Sequence, residues 1–303
     1  MITRGFGVVV SLALAIAIAS VAPLSPVHAQ ARQGRVYVTV TDQAGNLVEN
    51  LNPADFTVRE DKVSREVLSV QRASQPMHIA LLVDNSQAAE RFLRDYREGL
   101  AAFITAIGAD TPTGGKHQVA IITLASRPTI AVDYTADQAR LMKTALSVFS
   151  LPETGTYLLD GIVETAQGIS KRTMPRAVIV AITTEGPELS EKAYEAVLAP
   201  LRDSGASLNM VVIGAPRNTA HDRAVVIDQG SKSTGGRNEN ILVSTALANT
   251  LKQIATDLTH QYVVTYAEPE TLIPAESVTV SMNKEGLTAR SFPTKAERAR
   301  MPR

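Results

Sequence analysis

The sequence of 303 residues contains no cysteine and no tryptophan, and only 4% of its residues are aromatic. Without cysteine the chain forms no disulfide and offers no thiol for lipid acylation. A core with so few aromatic side chains has to be built from alanine, valine, isoleucine and leucine, which suits a sheet covered by helices. Stability must therefore come from a conventional hydrophobic core.

Neither sign of charge is in excess, because 30 Lys and Arg residues balance 30 Asp and Glu residues. This composition requires no large basic face, so nucleic acid is not an expected partner. Long apolar runs are also lacking, apart from one near the amino terminus. We therefore expect no membrane span beyond that first run.

The first 29 residues have the pattern of a secretory signal peptide. Arg4 gives a basic start, residues 8–22 are almost continuously apolar, and Val27 and Ala29 place small residues before a cleavage site. We expect cleavage after Ala29 and a location in the periplasm or outside a bacterial cell. The alternative is a retained membrane anchor, which the short apolar run and the two prolines after it disfavour.

The middle of the chain alternates between short apolar runs and helical patterns. The runs cover residues 79–83, 119–124, 177–182 and 208–213. Uninterrupted runs of this length are typical of strands covered on both faces. Between them apolar residues recur at three- and four-residue steps, as at Met142, Ala145 and Phe149, which indicates helices. This alternation predicts a mainly parallel sheet with helices on both faces. Residues 129–132, which follow Pro128, are expected to add a short antiparallel edge strand.

Both ends of the chain have β patterns instead. Apolar and polar residues alternate within residues 35–72 and 262–292, and residues 283–286 are predicted to form a hairpin turn. We predict that segments 35–75 and 262–293 form one small β-sandwich, into which an α/β domain of residues 76–261 is inserted. The charged segment 294–303 lacks apolar anchors and is expected to be a loose tail.

Three loops of the α/β segment carry polar side chains that are expected to meet. The first strand runs directly into Asp84-Asn85-Ser86-Gln87-Ala88, a later loop carries Thr156, and the strand at 177–182 leads into Glu185. Open α/β sheets bind ligands beyond the carboxyl ends of their strands. Two carboxylates and several hydroxyls are therefore expected at one edge of the sheet.

This pattern resembles the metal-ion-dependent adhesion site of the von Willebrand factor A family, which combines a D-x-S-x-S loop with a Thr and an Asp from two other loops. The resemblance implies a divalent cation, usually Mg²⁺, whose coordination is completed by a ligand carboxylate. Carried over by position, Asp84, Ser86, Thr156 and Glu185 are the candidate metal ligands. Ala88 replaces the second Ser and Glu185 replaces the Asp. Two interpretations stay open, bound Mg²⁺ or a vestigial site in which Asp84 hydrogen-bonds loop backbone.

The resemblance extends to the flanking segments. V-x-V-T-D-x-x-G-x-x-V at residues 38–48, L-x-x-x-D-F-x-V-x-E-D at 51–61, and elements around 233–237 and 254–262 look like a subgroup of exported bacterial proteins called VWFA-related. This resemblance covers residues 36–292. It implies a fold more directly than a function.

We expect a binding protein and not an enzyme, with a protein or peptide ligand that presents a carboxylate to the three loops. A different hypothesis is a metal-independent scaffold that uses another surface, such as the edge of the β-sandwich. A third is a hydrolase that uses a metal-bound water. The scattered histidines disfavour it, because none is expected beside the loops. They are His78, His117, His221 and His260.

Overall fold

The structure is a computed structural model that describes residues 32–108, 111, 114–172, 174, 176–215, 220–268 and 277–293. All of these residues belong to one compact unit, Ala31–Arg303. The described strands are β1 (Arg32–Thr41), β2 (Phe56–Glu60), β3 (Val63–Arg65), β4 (Val67–Arg72), β5 (His78–Val83), β6 (Gln118–Thr123), β7 (Thr129–Thr135), β8 (Ala177–Thr184), β9 (Ser207–Ile213), β10 (Asn238–Ile241), β11 (Tyr262–Glu268), β12 (Val278–Met282) and β13 (Thr288–Pro293). The described helices are α1 (Leu93–Ile107), α2 (Gln138–Leu146), α3 (Leu158–Arg172), α4 (Tyr194–Ser204), α5 (His221–Val225), α6 (Ser231–Ser233) and α7 (Leu247–Thr259).

A sheet of six described strands lies at the centre, in the order β10-β9-β8-β5-β6-β7. Neighbouring strands run parallel except at one edge, where β7 is antiparallel to β6. The predicted α/β class with a mainly parallel sheet is therefore confirmed, as is the antiparallel edge strand after Pro128. Because the parallel strands share one direction, the loops that follow β5, β8, β9 and β10 all leave from the same edge, called the carboxyl edge below.

Helices cover both faces of this sheet, which explains why its inner strands carry long apolar runs. In β5, Ile79, Leu81 and Val83 pack into one core with α1, α2 and α7. The alternate residues Ala80 and Leu82 pack into a second core with α3 and α4 on the opposite face. Side chains of a strand point to the two faces in turn, so a strand covered on both sides buries every residue.

Strands from the two ends of the chain combine into two further sheets. Among the described residues one sheet has the order β13-β1-β11-β4 and the other β12-β2-β3. Val36 and Val264 of the first sheet share a core with Phe56, Val58 and Val280 of the second. The predicted pairing of N-terminal with C-terminal strands is confirmed. The domain boundaries at residues 75 and 262 stay a prediction.

The predicted hairpin at residues 283–286 is wrong. Within the described ranges β12 pairs with β2, whereas β13 pairs with β1 in the other sheet. The connection is tied to the segment before β2, because Asn283 donates its backbone N–H to Asp55 O at 2.9 Å and its side-chain N–H to Ala54 O at 2.8 Å. Gly286, with φ of +78°, then lets the chain cross from one sheet to the other.

Every helix in the part of the chain that the structure describes is too short or too polar to cross a lipid bilayer. The predicted signal peptide and the predicted tail at 294–303 lie outside the described residues.

Candidate functional site

The first of the three loops begins with a fully buried carboxylate. Asp84 follows the last residue of β5 and is 0% exposed. Its Oδ1 accepts a hydrogen bond from Ser86 N at 3.0 Å. Its Oδ2 accepts three, from Thr184 N at 3.1 Å, Thr184 Oγ1 at 3.1 Å and Thr183 Oγ1 at 3.2 Å. These donors compensate for the loss of water around a charged group and join the loop after β5 to the end of β8.

The other two loops lie against the first. Gln87 N donates to Thr154 O at 3.3 Å, which joins the first loop to the second. Thr156 N donates to Pro187 O at 2.9 Å, which joins the second loop to the third. A Cβ atom on Gly186 would lie 2.6 Å from Ala88 Cβ and 4.0 Å from Ser86 Oγ, so the third loop also packs closely on the first. The three loops that carry the predicted site residues therefore meet at the carboxyl edge.

Two of the predicted residues present hydroxyls that have no hydrogen bond. Ser86 and Thr156 are both 0% exposed. Their side-chain oxygens are buried and find no partner among the described residues. Buried polar atoms in proteins are nearly always paired with protein, water or a ligand, so these two oxygens in adjoining loops have free capacity for a water, a cation or a ligand group. Asp84 Oδ1, with one hydrogen bond, adds a third oxygen with acceptor capacity.

These oxygens fit a hard divalent cation. Mg²⁺ prefers oxygen ligands, of which protein carboxylates and water are the usual source. Ala88 offers no oxygen, so water would have to take the place of the missing hydroxyl. The described residues contain no cluster of three or more His, Cys, Asp or Glu side chains that could hold a metal ion. At these three loops a cation would therefore depend on Asp84 and on the hydroxyls of Ser86 and Thr156.

Glu185 lies in the third loop but faces a buried arginine. Its Oε1 is 3.8 Å from Arg223 Nη1, and its side chain is 12% exposed. Arg223, from α5, is 1% exposed and donates from Nη2 to Thr184 O at 2.8 Å and to Thr183 Oγ1 at 3.1 Å. Its Nε is 3.8 Å from Glu188 Oε2. Sequence reasoning brought Glu185 to the right edge and missed the arginine.

The sequence around Arg223 contains a pattern from which its burial could have been predicted. α5 continues through a π-helical turn, Val226–Gly230, into α6. Arg223 shares one face of this segment with Val226, Ile227 and Gly230, all of which are buried. A charged residue on the apolar face of a helix is a candidate for a buried ion pair.

Two more ionisable groups respond to this charge cluster. Burial raises the pKa of Glu188, while hydrogen bonds from Ser190 and the charge of Arg223 act in the opposite direction. Burial and the negative charge of Asp84 raise the pKa of Tyr96 well above its usual value, and the charge of Arg223 opposes this shift. Tyr96 Oη is buried and has no hydrogen-bond partner within the described part of the chain. The phenol therefore stays neutral.

Exposed apolar side chains lie in loops at the same carboxyl edge. Phe149, which is 62% exposed, accepts at its backbone O a hydrogen bond from Asn85 Nδ2 at 3.1 Å. Leu189, which is 44% exposed, donates its backbone N–H to Thr156 O at 2.8 Å. Leu242 and Val243, both exposed, follow the carboxyl end of β10. The carboxyl edge thus combines buried oxygens with an apolar margin.

The histidines lie elsewhere. His117 is buried and accepts at Nδ1 a hydrogen bond from Met77 N at 3.0 Å, near the amino end of β5. His78 begins β5, at the opposite end from Asp84. His221 stacks edge-on against Tyr194, and His260 caps the end of α7. None of these four histidines forms a side-chain hydrogen bond with Asp84, Ser86 or Thr156 in the described structure.

No protein-family model matches the chain, and no curated protein matches it. Solved structures do. A von Willebrand factor type A protein from Catenulispora acidiphila is 10% identical, with 88% of this chain and 75% of that chain covered and a TM-score of 0.49. The conserved hypothetical protein BatB from Bacteroides thetaiotaomicron is 14% identical, covers 60% of this chain and 98% of that one, and has a TM-score of 0.47. The SpRpn10 VWA domain is 13% identical, covers 58% and 95%, and has a TM-score of 0.44. These likenesses concern the fold alone.

Proposed function

We propose that this chain is an exported binding protein, not an enzyme, and that an acidic group of a protein or peptide ligand binds at the carboxyl edge with Mg²⁺ between them. Asp84, Ser86 and Thr156 would hold the cation. The observation that carries this proposal is a pair of buried hydroxyls that find no hydrogen-bond partner among the described residues and lie in two adjoining loops next to a buried carboxylate. When bound, Mg²⁺ would supply the positive charge that lets a ligand carboxylate approach Asp84.

The surroundings of these oxygens favour a macromolecular ligand. Interfaces between proteins commonly place a few polar contacts inside a margin of exposed apolar side chains. Phe149, Leu189, Leu242 and Val243 are exposed side chains in loops at the carboxyl edge and provide such a margin. A small carboxylate would contact the oxygens and leave these side chains in water.

Removal of a single hydroxyl tests the proposal with little risk to the fold. Ser86→Ala deletes an oxygen that makes no hydrogen bond in the described structure, so we expect an unchanged or slightly higher melting temperature. The same change is expected to abolish the rise in melting temperature that Mg²⁺ gives to the unmodified chain. Differential scanning fluorimetry in a magnesium titration, with calorimetric titration of the metal, measures both.

Ser204→Ala is the matched control. Ser204 is also buried, but its Oγ donates to Leu201 O at 2.6 Å and accepts from Ala206 N at 3.1 Å, far from the carboxyl edge. This variant is expected to melt at a lower temperature and to keep the full response to Mg²⁺. If Ser86→Ala and the unmodified chain respond to Mg²⁺ equally, the cation does not bind at these loops and the proposal is wrong.

A metal-independent scaffold is the second candidate, and one observation favours it. All four donors around Asp84 come from the protein itself, which is how a purely structural aspartate is held. Capture of exported proteins on the mature chain, with Mg²⁺ and with a chelator in parallel, separates the two candidates. Capture that survives both the chelator and Ser86→Ala supports the scaffold, which would use another surface such as the edge of the flanking sheets.

A further inference from the structure

A buried arginine occupies the side of the candidate site that the third loop forms. Arg223 is among the largest fully buried side chains of the described residues. Its Nη2 is held by Thr184 O and Thr183 Oγ1 at 2.8 and 3.1 Å. Its Nη1 and Nε have no hydrogen bond in the described structure and face Glu185 and Glu188, each at 3.8 Å.

This geometry ties the guanidinium to all three carboxylates of the site. Two of them, Glu185 and Glu188, face it directly. The third, Asp84, is reached through one hydroxyl, because Thr183 Oγ1 accepts from Arg223 and donates to Asp84 Oδ2. A buried guanidinium is stable only with opposite charges close to it.

From this arrangement we infer that Arg223 withholds Glu185 from the metal and thereby sets the cation affinity of the site. The inference rests on the proposed function, since it concerns the same cation. Affinity for a hard cation grows with the number of carboxylates that face it. With Glu185 paired to Arg223, a cation held by Ser86 and Thr156 meets the unpaired charge of Asp84 alone.

The inference also defines what a ligand must bring. The second negative charge near the cation comes from the ligand, so metal and an acidic ligand bind more tightly together than either does alone. Arg223 is a positioning residue in this account. It is 1% exposed and does not itself contact a ligand in solution.

Arg223→Met removes the charge and keeps most of the apolar stem. We expect it to bind Mg²⁺ about tenfold more tightly than the unmodified chain, because Glu185 is released and a positive charge is gone. The double variant R223M/E185Q is expected to return to within about threefold of the unmodified chain, since the released carboxylate is then absent. Arg223→Lys keeps the charge and is expected to leave the affinity low. Isothermal titration calorimetry with MgCl₂ alone measures all four proteins.

Two results would overturn the inference. One is a folded Arg223→Met variant whose affinity for Mg²⁺ is not raised, and the other is a double variant that binds as tightly as R223M. If Arg223→Met does not fold, Arg223→Gln decides the question, because it also removes the charge and keeps a polar side chain at this position. Its Mg²⁺ affinity should be raised as for Arg223→Met, and an unchanged affinity refutes the inference. Failure of the proposed function is a different result, namely that Ser86→Ala leaves Mg²⁺ binding intact in every background.

Discussion

Acid should destabilise this protein through one buried histidine. His117, just before β6, is 6% exposed and accepts a hydrogen bond from Met77 N at Nδ1. Burial, with a smaller contribution from the positive charge of Arg176, lowers the pKa of His117 from 6.5 to about 4. Protonation would place a hydrogen on Nδ1, break the bond to Met77 and bury a charge near a guanidinium.

The sign and size of the effect follow from proton uptake by the two states. In the unfolded chain His117 takes up its proton near pH 6.5, whereas in the folded chain it does so near pH 4. Between these values the unfolded state binds more protons, so the free energy of unfolding falls as pH falls. The contribution is fully present above pH 6.5, and about 2 kcal/mol of it is lost between pH 7.5 and pH 5.

Urea denaturation of the unmodified chain and of His117→Asn, at about pH 7.5 and pH 5, isolates this term. The asparagine keeps an acceptor for Met77 N but has no proton to take up. His78, whose pKa burial also lowers, is present in both proteins and cancels in the comparison. We expect the unmodified chain to lose about 2 kcal/mol more than the variant over this interval. Equal losses, within about 0.5 kcal/mol, would refute the assignment of a neutral, hydrogen-bonded His117.

Two predictions concern the three loops. Asp84→Asn places an amide N–H₂ against donors that now face a carboxylate, so we expect it to lower the free energy of unfolding by about 3 kcal/mol in urea denaturation. A loss below about 1 kcal/mol would contradict the hydrogen bonding described for this residue. Gly186→Ala is expected to cost about 2 kcal/mol, because its Cβ would lie 2.6 Å from Ala88 Cβ. The double variant with Ala88→Gly should recover most of that loss, and no recovery would show that the two loops do not pack as described.

The parts of the fold that could be predicted from the sequence are those where local pattern and final burial agree. β5, β6, β8 and β9 each contain a nearly uninterrupted apolar run and were identified from that feature alone. β10 was not, since its sequence Asn-Glu-Asn-Ile is polar and its position at the sheet edge needs no apolar run. Edge strands are half exposed, so their sequences lack the signal that covered strands carry.

The end of α2 shows a related difficulty. The apolar spacing of Met142, Ala145 and Phe149 predicted one continuous helix, but α2 ends at Leu146 and Phe149 is 62% exposed. Ser147, with φ near −93° and ψ near 0°, leaves the helical conformation. Phe149 instead lies in the loop after α2, where its backbone O accepts a hydrogen bond from Asn85. A periodic pattern identifies side chains of one type without stating whether each faces the core or a binding surface.

The candidate site divides in the same way. Asp84, Ser86, Thr156 and Glu185 were brought to one edge by the general rule for open α/β sheets. The loops do meet there, through backbone hydrogen bonds. The charges around the site could not be predicted, because Arg223 lies in α5, far along the sequence from the three loops. Its partners are determined by tertiary packing. The sequence pattern therefore predicts where the site lies, whereas tertiary packing determines which of its carboxylates are paired with Arg223.

The pairing of β1 has a consequence for how the molecule is made. Val36 lies opposite Val264 and Val38 lies opposite Ser291, so β1 is paired with β11 on one side and with β13 on the other. Until synthesis has reached β13, β1 presents a bare hydrogen-bonding edge on which another copy could align. A chain truncated at its carboxyl end would keep the central sheet but would lose the strands that pair with β1. Proteases and chaperones that recognise unpaired strands should therefore be most sensitive to changes in β11 and β13.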